Sequence, residues 1–69
     1  MMAMTLGQRL REERYRLGLT QKEVAKLTGL SIVTILNIEN DRQDPHASTV
    51  IILCKKLSIS ADKLFGLTI

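Results

Sequence analysis

Aromatic side chains, cysteine, histidine and long apolar runs are all scarce in this chain, and each scarcity removes a class of function. Tyr15 and Phe65 are the only aromatic residues, 3% of the sequence, too few for the stacked platform that holds single-stranded nucleic acid. A single cysteine, Cys54, leaves no disulfide within the chain. With the single histidine, His46, it falls short of the roughly four nitrogen and sulfur ligands of a structural zinc site, so no metal is expected. A Cys54–His46 nucleophile pair is the minimal enzymatic arrangement, but Cys54 closes the apolar run Val50-Ile51-Ile52-Leu53 and reads as a buried structural thiol. The sequence offers no carboxylate pair, nucleophile–base pair or metal cluster. No catalytic residue or cofactor is therefore expected, and the chain reads as a non-enzyme. No apolar stretch approaches the ~20 residues of a membrane span. The opening Met-Met-Ala-Met is too short for a signal peptide, and the charges follow it rather than precede it. The expected compartment is the cytoplasm.

What remains is a small globular composition. Sixty-nine residues, 45% hydrophobic and 25% charged, make one domain, residues 1–69, with one small core and no room for a deep, walled active site. Ten Lys and Arg against seven Asp and Glu give a net charge of +3, a mild lean toward anionic partners.

The periodicity is helical, and glycine and proline act as punctuation. Thr5 and Gln8 have capping-box spacing, Leu6, Leu10 and Leu17 follow on one face, and Gly18 is placed to end the helix. Arg14 lies on that apolar stripe. Thr20 and Glu23 repeat the capping box, Val24, Ala25 and Leu27 give the second helix an apolar side, and Gly29 stops it. Leu30 plugs the core. Ser31 caps a third helix, from about Ile32 to Asn40, with Ile35 and Ile38 turned inward. Asn40-Asp41 suits a left-handed turn, and residues 42–45 read as a loop. Val50, Leu53, Cys54 and Leu57 mark a fourth helix that starts around His46 to Ser48, where no capping spacing marks it. Ser60 caps a short fifth helix holding Leu64 and Phe65, and residues 66–69 form the tail. The expectation is an all-α fold, a compact bundle of about five short helices.

Residues of about 20–40 carry a more specific pattern. Two helices crossing steeply over a tight turn need a small residue at the crossing, a positive-φ residue in the turn, and two apolar residues one turn apart on the second helix. Ala25, Gly29, and Ile35 with Ile38 meet these needs. The segments Leu-Gly-Gln-Arg-Leu-Arg (6–11), Arg-Leu-Gly-Leu-Thr-Gln-Lys-Glu-Val-Ala (16–25), Thr-Gly-Leu-Ser (28–31), Ile-Leu-Asn-Ile-Glu-Asn (35–40), Asp-Pro (44–45) and Leu-Ser-Ile-Ser-Ala-Asp-Lys-Leu-Phe (57–65) together resemble the helix-turn-helix domain of the Cro/CI phage-repressor and Xre-like regulator family. The resemblance spans Leu6 to Phe65 and implies a lambda-repressor-like DNA-binding domain.

In such a pair the second helix enters the major groove with its N-terminal, outward residues on base edges. The outward residues are read as Ile32, Val33, Leu36 and Asn37, with Thr34 beside them. Asn37 suits a forked contact to adenine, and Ile32 and Val33 suit thymine methyl groups. The resemblance places the family's base-reading positions on Ile32, Val33 and Asn37, where family members usually carry polar or basic residues. Gln21 begins its helix and is read as a phosphate ligand, a role the resemblance also gives it. Arg42 and Gln43 form a second phosphate clamp, and Arg9, Arg11 and Lys22 add to the attraction. For Arg11 and Lys22 a merely solvated face is the equal alternative, and it is the preferred reading for Lys26, Lys55, Lys56 and Lys63. His46 reads as an exposed residue at a helix start.

Arg14 on an apolar stripe must be paired. Glu39 is the natural partner, and the resemblance supports a semi-buried structural bridge between the first and third helices. Family members usually pair on a pseudo-palindromic operator, so a homodimer is expected. One of Ile51 and Ile52, with Phe65, Leu67 and Ile69, would form its apolar patch, unless Phe65 and Leu67 close the core instead. Two functions stand. One is a sequence-specific regulator of double-stranded DNA, read as a repressor. The other is a protein-interaction module on the same fold, an antitoxin or the partner of an anti-repressor, suggested by the apolar Ile32, Val33 and Leu36; a protein antagonist is the further candidate partner.

Overall fold

Side-chain oxygens at four helix starts determine where the chain turns. In the computed structural model, which describes residues 4–67, Thr5 accepts from the Gln8 N–H at 3.1 Å while Gln8 accepts from the Thr5 N–H at 2.9 Å, opening α1 (Leu6–Arg16). Thr20 and Glu23 make the same reciprocal pair, at 3.0 and 2.9 Å, before α2 (Gln21–Thr28). The backbone N–H of Thr20, then its hydroxyl, hold the Glu23 carboxyl below its ordinary pKa. Ser31 caps α3 (Ile32–Glu39) and Ser60 caps α5 (Ala61–Phe65). The fourth helix, α4 (Ala47–Leu57), starts after His46, whose side chain makes no capping bond. That is why its start carries no sequence signal. Gly29 ends α2 at φ +78°, and Asp41 (φ +59°) and Ser58 (φ +55°) take the same left-handed conformation after α3 and α4.

Every helix contributes to one core: Leu10, Val24, Ile35, Ile38, Val50, Leu53, Leu57, Ile59 and Leu64, with Leu6, Leu17, Leu19, Ala25, Leu30 and Cys54 packed against it. Among the described residues there is no strand. The Cα radius of gyration, 11.0 Å, matches the about 11 Å of a globular chain this long. The all-α, five-helix expectation holds.

Two local expectations, for Leu27 and Gly7, are corrected, and the alternative in which Phe65 and Leu67 close the core does not hold. Leu27, assigned to the apolar side of α2, is 51% exposed. The inward arc is centred between Val24, Ala25 and Thr28, and Leu27 lies roughly 110° away from it. Thr28 is buried instead, its hydroxyl donating to the Val24 carbonyl at 2.8 Å and accepting from the Leu30 N–H at 3.2 Å. Gly7 is not punctuation: it is buried inside α1, where a Cβ would collide with the Ile38 carbonyl oxygen, so its missing side chain lets α1 approach α3. Phe65 and Leu67 stay exposed, and Leu64 fills that part of the core.

Candidate nucleic-acid interface

One carboxylate ties α3 to both α1 and α2. Glu39 is 1% exposed and Arg14 7%. Arg14 Nε donates to Glu39 Oε2 at 2.7 Å and Nη2 donates to Oε1 at 3.0 Å, a two-pronged charged contact. Arg14 Nη1 donates to the Leu19 carbonyl at 3.0 Å, and the guanidinium carbon lies 4.7 Å from the Tyr15 ring centre. Gln21 Nε2 donates to Glu39 Oε1 at 3.1 Å. Arg11 completes the set: Nε reaches Oε1 at 3.4 Å, and Nη2 donates to the Glu39 carbonyl at 3.2 Å and to Asn40 Oδ1 at 2.8 Å. Burial pushes the Glu39 carboxyl up, but the Arg14 and Gln21 hydrogen bonds, the Arg14 charge and Arg11 outweigh it, and its pKa lies below the ordinary value. The hydrogen bond to Glu39 raises Arg14 above its ordinary value, against the opposing effect of burial. Among the described residues no buried side-chain nitrogen or oxygen lacks a partner.

This network joins α1, α2 and α3, and it extends the expected Arg14–Glu39 bridge. Arg11, read as a solvated or steering charge, is a third partner of Glu39. The signal was available, since Arg11 sits three residues before Arg14 and so shares its helix face. Gln21 stands at the start of α2 as expected, with one amide N–H engaged by Glu39.

Ser31 caps α3, and the packing of Ile35 and Ile38 into the core turns the helix's first residues outward. Ile32 is 41% exposed and Val33 59%, while Ile35 and Ile38 face the core. Asn37 lies one turn beyond Val33 on the same side. It is half-buried, as are Thr34 and Leu36, so Leu36 is less outward than expected. The Thr34 hydroxyl pairs with Ser31 Oγ at 2.9 Å. The Asn37 carbonyl accepts from the Arg42 N–H at 2.9 Å, tying the following turn to the helix. Lys22, Arg42 and Gln43 are exposed. No Lys or Arg lies in α3.

Arg9 is placed apart from this group. Its guanidinium packs where a Cβ on Gly66 would lie, about 200° around α1 from Gly7, the residue that meets α3. Ile51 rather than Ile52 is the outward residue of α4; Phe65 and Leu67 are exposed, and Ile69 lies outside the described residues. Cys54 is half-buried and packed against the core, and burial raises its thiol pKa. Lys26, Lys55 and Lys56 are exposed, as is His46; Lys63 Nζ lies 3.9 Å from Glu13 Oε1. Among the described residues there is no cluster of three or more metal-ligating side chains. A surface groove of about 660 Å³ runs between α1 and α2 along Arg11, Tyr15, Leu19 and Gln21 and is open to solvent.

Residues 7–68 match the protein family described as a helix-turn-helix domain. The chain is 38% identical over 63 residues to the HTH-type transcriptional regulator ImmR of Bacillus subtilis, covering 91% of this chain and 50% of that protein. It is 39% identical over 60 residues to the HTH-type transcriptional regulator PuuR of Escherichia coli, covering 87% and 32%. The chain thus spans half or less of the length of these curated relatives. Among solved structures, the restriction-modification controller protein C.AhdI of Aeromonas hydrophila superposes with a TM-score of 0.82 at 33% identity, covering 87% of this chain and 91% of that one. The P22 c2 repressor protein, solved in complex with a synthetic operator, superposes with a TM-score of 0.83 at 30% identity, covering 91% and 96%.

Proposed function

The chain belongs to the helix-turn-helix domain family of transcriptional regulators, of the Cro/CI and Xre-like kind, and from that premise we propose that it is a sequence-specific repressor of double-stranded DNA acting as a homodimer on a pseudo-palindromic operator. The observation that carries this reading is the outward first turn of α3, with Ile32, Val33 and Asn37 on one side of a helix tied to α1 by the buried Arg14–Glu39 pair. With α3 in the major groove, Asn37 makes a forked contact to adenine, while Ile32 and Val33 cover thymine methyl groups and Thr34 and Leu36 border them. Gln21 at the start of α2, Lys22, and Arg42 with Gln43 after α3 hold phosphates on either side. Arg9, remote from α3, contributes to the overall field. Ile51, Phe65 and Leu67 supply apolar surface for pairing, with Ile52 behind Ile51. A dimer doubles the charge of +3, so binding weakens steeply as salt rises. The cytoplasm is the compartment this function requires.

A gel shift against random and genomic duplexes over a range of salt concentrations tests the proposal. Salt-sensitive binding supports it, and absence of binding at low salt refutes it. The apolar, cation-free outward turn of α3 favours one competing reading, a module that docks a protein antagonist or toxin. That reading takes over if no duplex is bound.

A further inference from the structure

The first turn of α3 presents two aliphatic side chains where hydrogen-bonding groups would ordinarily read bases. Ile32 and Val33 are exposed, the helix carries no cation, and its one charged residue, Glu39, is turned inward onto Arg14. Exposed Lys22 and Arg42 lie on the elements before and after α3, and the chain carries +3, so this apolar turn sits in surroundings suited to a polyanion. Among the groups that project from the base edges into the major groove, the C5-methyl of thymine is the one apolar group of any size, the C5–H of cytosine at the same place offering little surface. An aliphatic side chain pressed on the other groups strips their water and returns no bond. It gains only against the methyl. That methyl occupies the same place on C5 in thymine and in 5-methylcytosine, and Ile32 and Val33 have no polar atom with which to sense what distinguishes the two at C4.

We propose that Ile32 and Val33 read the C5-methyl group itself, so that 5-methylcytosine replaces thymine at the positions they cover and cytosine methylation creates binding sites for this protein. The inference rests on the DNA-binding reading above. Each methyl covered is worth about four-fold in affinity, and two in one half-site about fifteen-fold.

The test uses the full chain and three random duplex pools at one low salt concentration. The first contains thymidine. The second has deoxyuridine in its place, which removes the methyl and leaves every hydrogen-bonding group. The third has deoxyuridine and also 5-methyldeoxycytidine in place of deoxycytidine. Duplexes selected from the first pool should lose about four-fold or more when remade with deoxyuridine. The third pool should restore binders, with 5-methylcytosine where the first pool placed thymine. In Val33→Ala, folding should be unchanged by circular dichroism and the thymidine–deoxyuridine difference should shrink about four-fold. Equal affinity for thymidine and deoxyuridine duplexes overturns the inference alone, as does a difference undiminished in the double variant Ile32→Ala/Val33→Ala. A third pool no better than the second overturns the 5-methylcytosine claim. Binding to none of the pools overturns the DNA-binding reading itself.

Discussion

Replacing Glu39 with glutamine removes one charge from the centre of the molecule with little change in shape. Four side-chain donors converge on its carboxylate: Arg14 Nε and Nη2, Gln21 Nε2 and Arg11 Nε. Glutamine leaves one oxygen to accept from them, points an amide NH2 at the rest, and strands Arg14 as a cation 7% exposed. Removing one partner of a buried pair costs about 3–5 kcal/mol. The lower end applies here, because Arg14 keeps the Leu19 carbonyl and Arg11 keeps Asn40. A domain of this length has roughly 3–10 kcal/mol in total, so Glu39→Gln removes between a third and all of it. The thermal midpoint should fall by at least about 12 °C. Urea and thermal unfolding followed by far-ultraviolet circular dichroism measure both quantities, which suits a chain without tryptophan. Removing both charges, as in Arg14→Met/Glu39→Leu, should recover much of the loss, since no ion is then stranded. A single-variant loss under about 1 kcal/mol, or a double variant as unstable as the two single losses added, would refute this account of how α3 is held.

The remaining expectations concern acid, packing, DNA and pairing. Glu39 titrates below its ordinary value in the folded state, so its stabilisation is full above about pH 4.3 and is lost as pH falls through the lowered folded value; the urea midpoint should drop below about pH 4, and Glu39→Gln should flatten that drop. Gly7→Ala would ordinarily favour a helix by about 1 kcal/mol, but here the added methyl meets the Ile38 carbonyl, and a net loss of about 1–3 kcal/mol is expected by urea unfolding. Asn37→Ala should weaken binding to a selected duplex about 5- to 150-fold and relax preference at one base pair, whereas Arg42→Ala should weaken all duplexes alike and lower the salt slope by about one; gel shifts at several salt concentrations separate the two. Phe65→Ser should lower the dimer fraction in sedimentation while leaving the unfolding free energy of the monomer, measured at dilutions where the dimer is absent, within about 0.5 kcal/mol, because Leu64 rather than Phe65 fills the core.

Local chemistry makes most of this fold legible in the sequence. Capping boxes, glycine stops and stripes at three- and four-residue spacing depend on neighbours within one turn, and Thr5, Thr20, Ser31, Ser60 and Gly29 behave as their spacing predicts. Arg14 on an apolar stripe demanded a partner, and Glu39 was identifiable as that partner. Other features depend on how helices cross, which spacing within a helix does not encode. Ile59 is buried from a loop between two serines, where no period marks it. Gly7 serves as a contact point for α3, Leu27 turns to solvent while Thr28 turns in, and Arg9 packs by Gly66. Gln21 and Arg11 reach a carboxylate 18 and 28 residues away. Sequence alone determined the helices and the residues offered on the outward turn of α3; the tertiary structure decided which charges are engaged in holding that turn and which remain free, because that depends on distances between helices rather than along them.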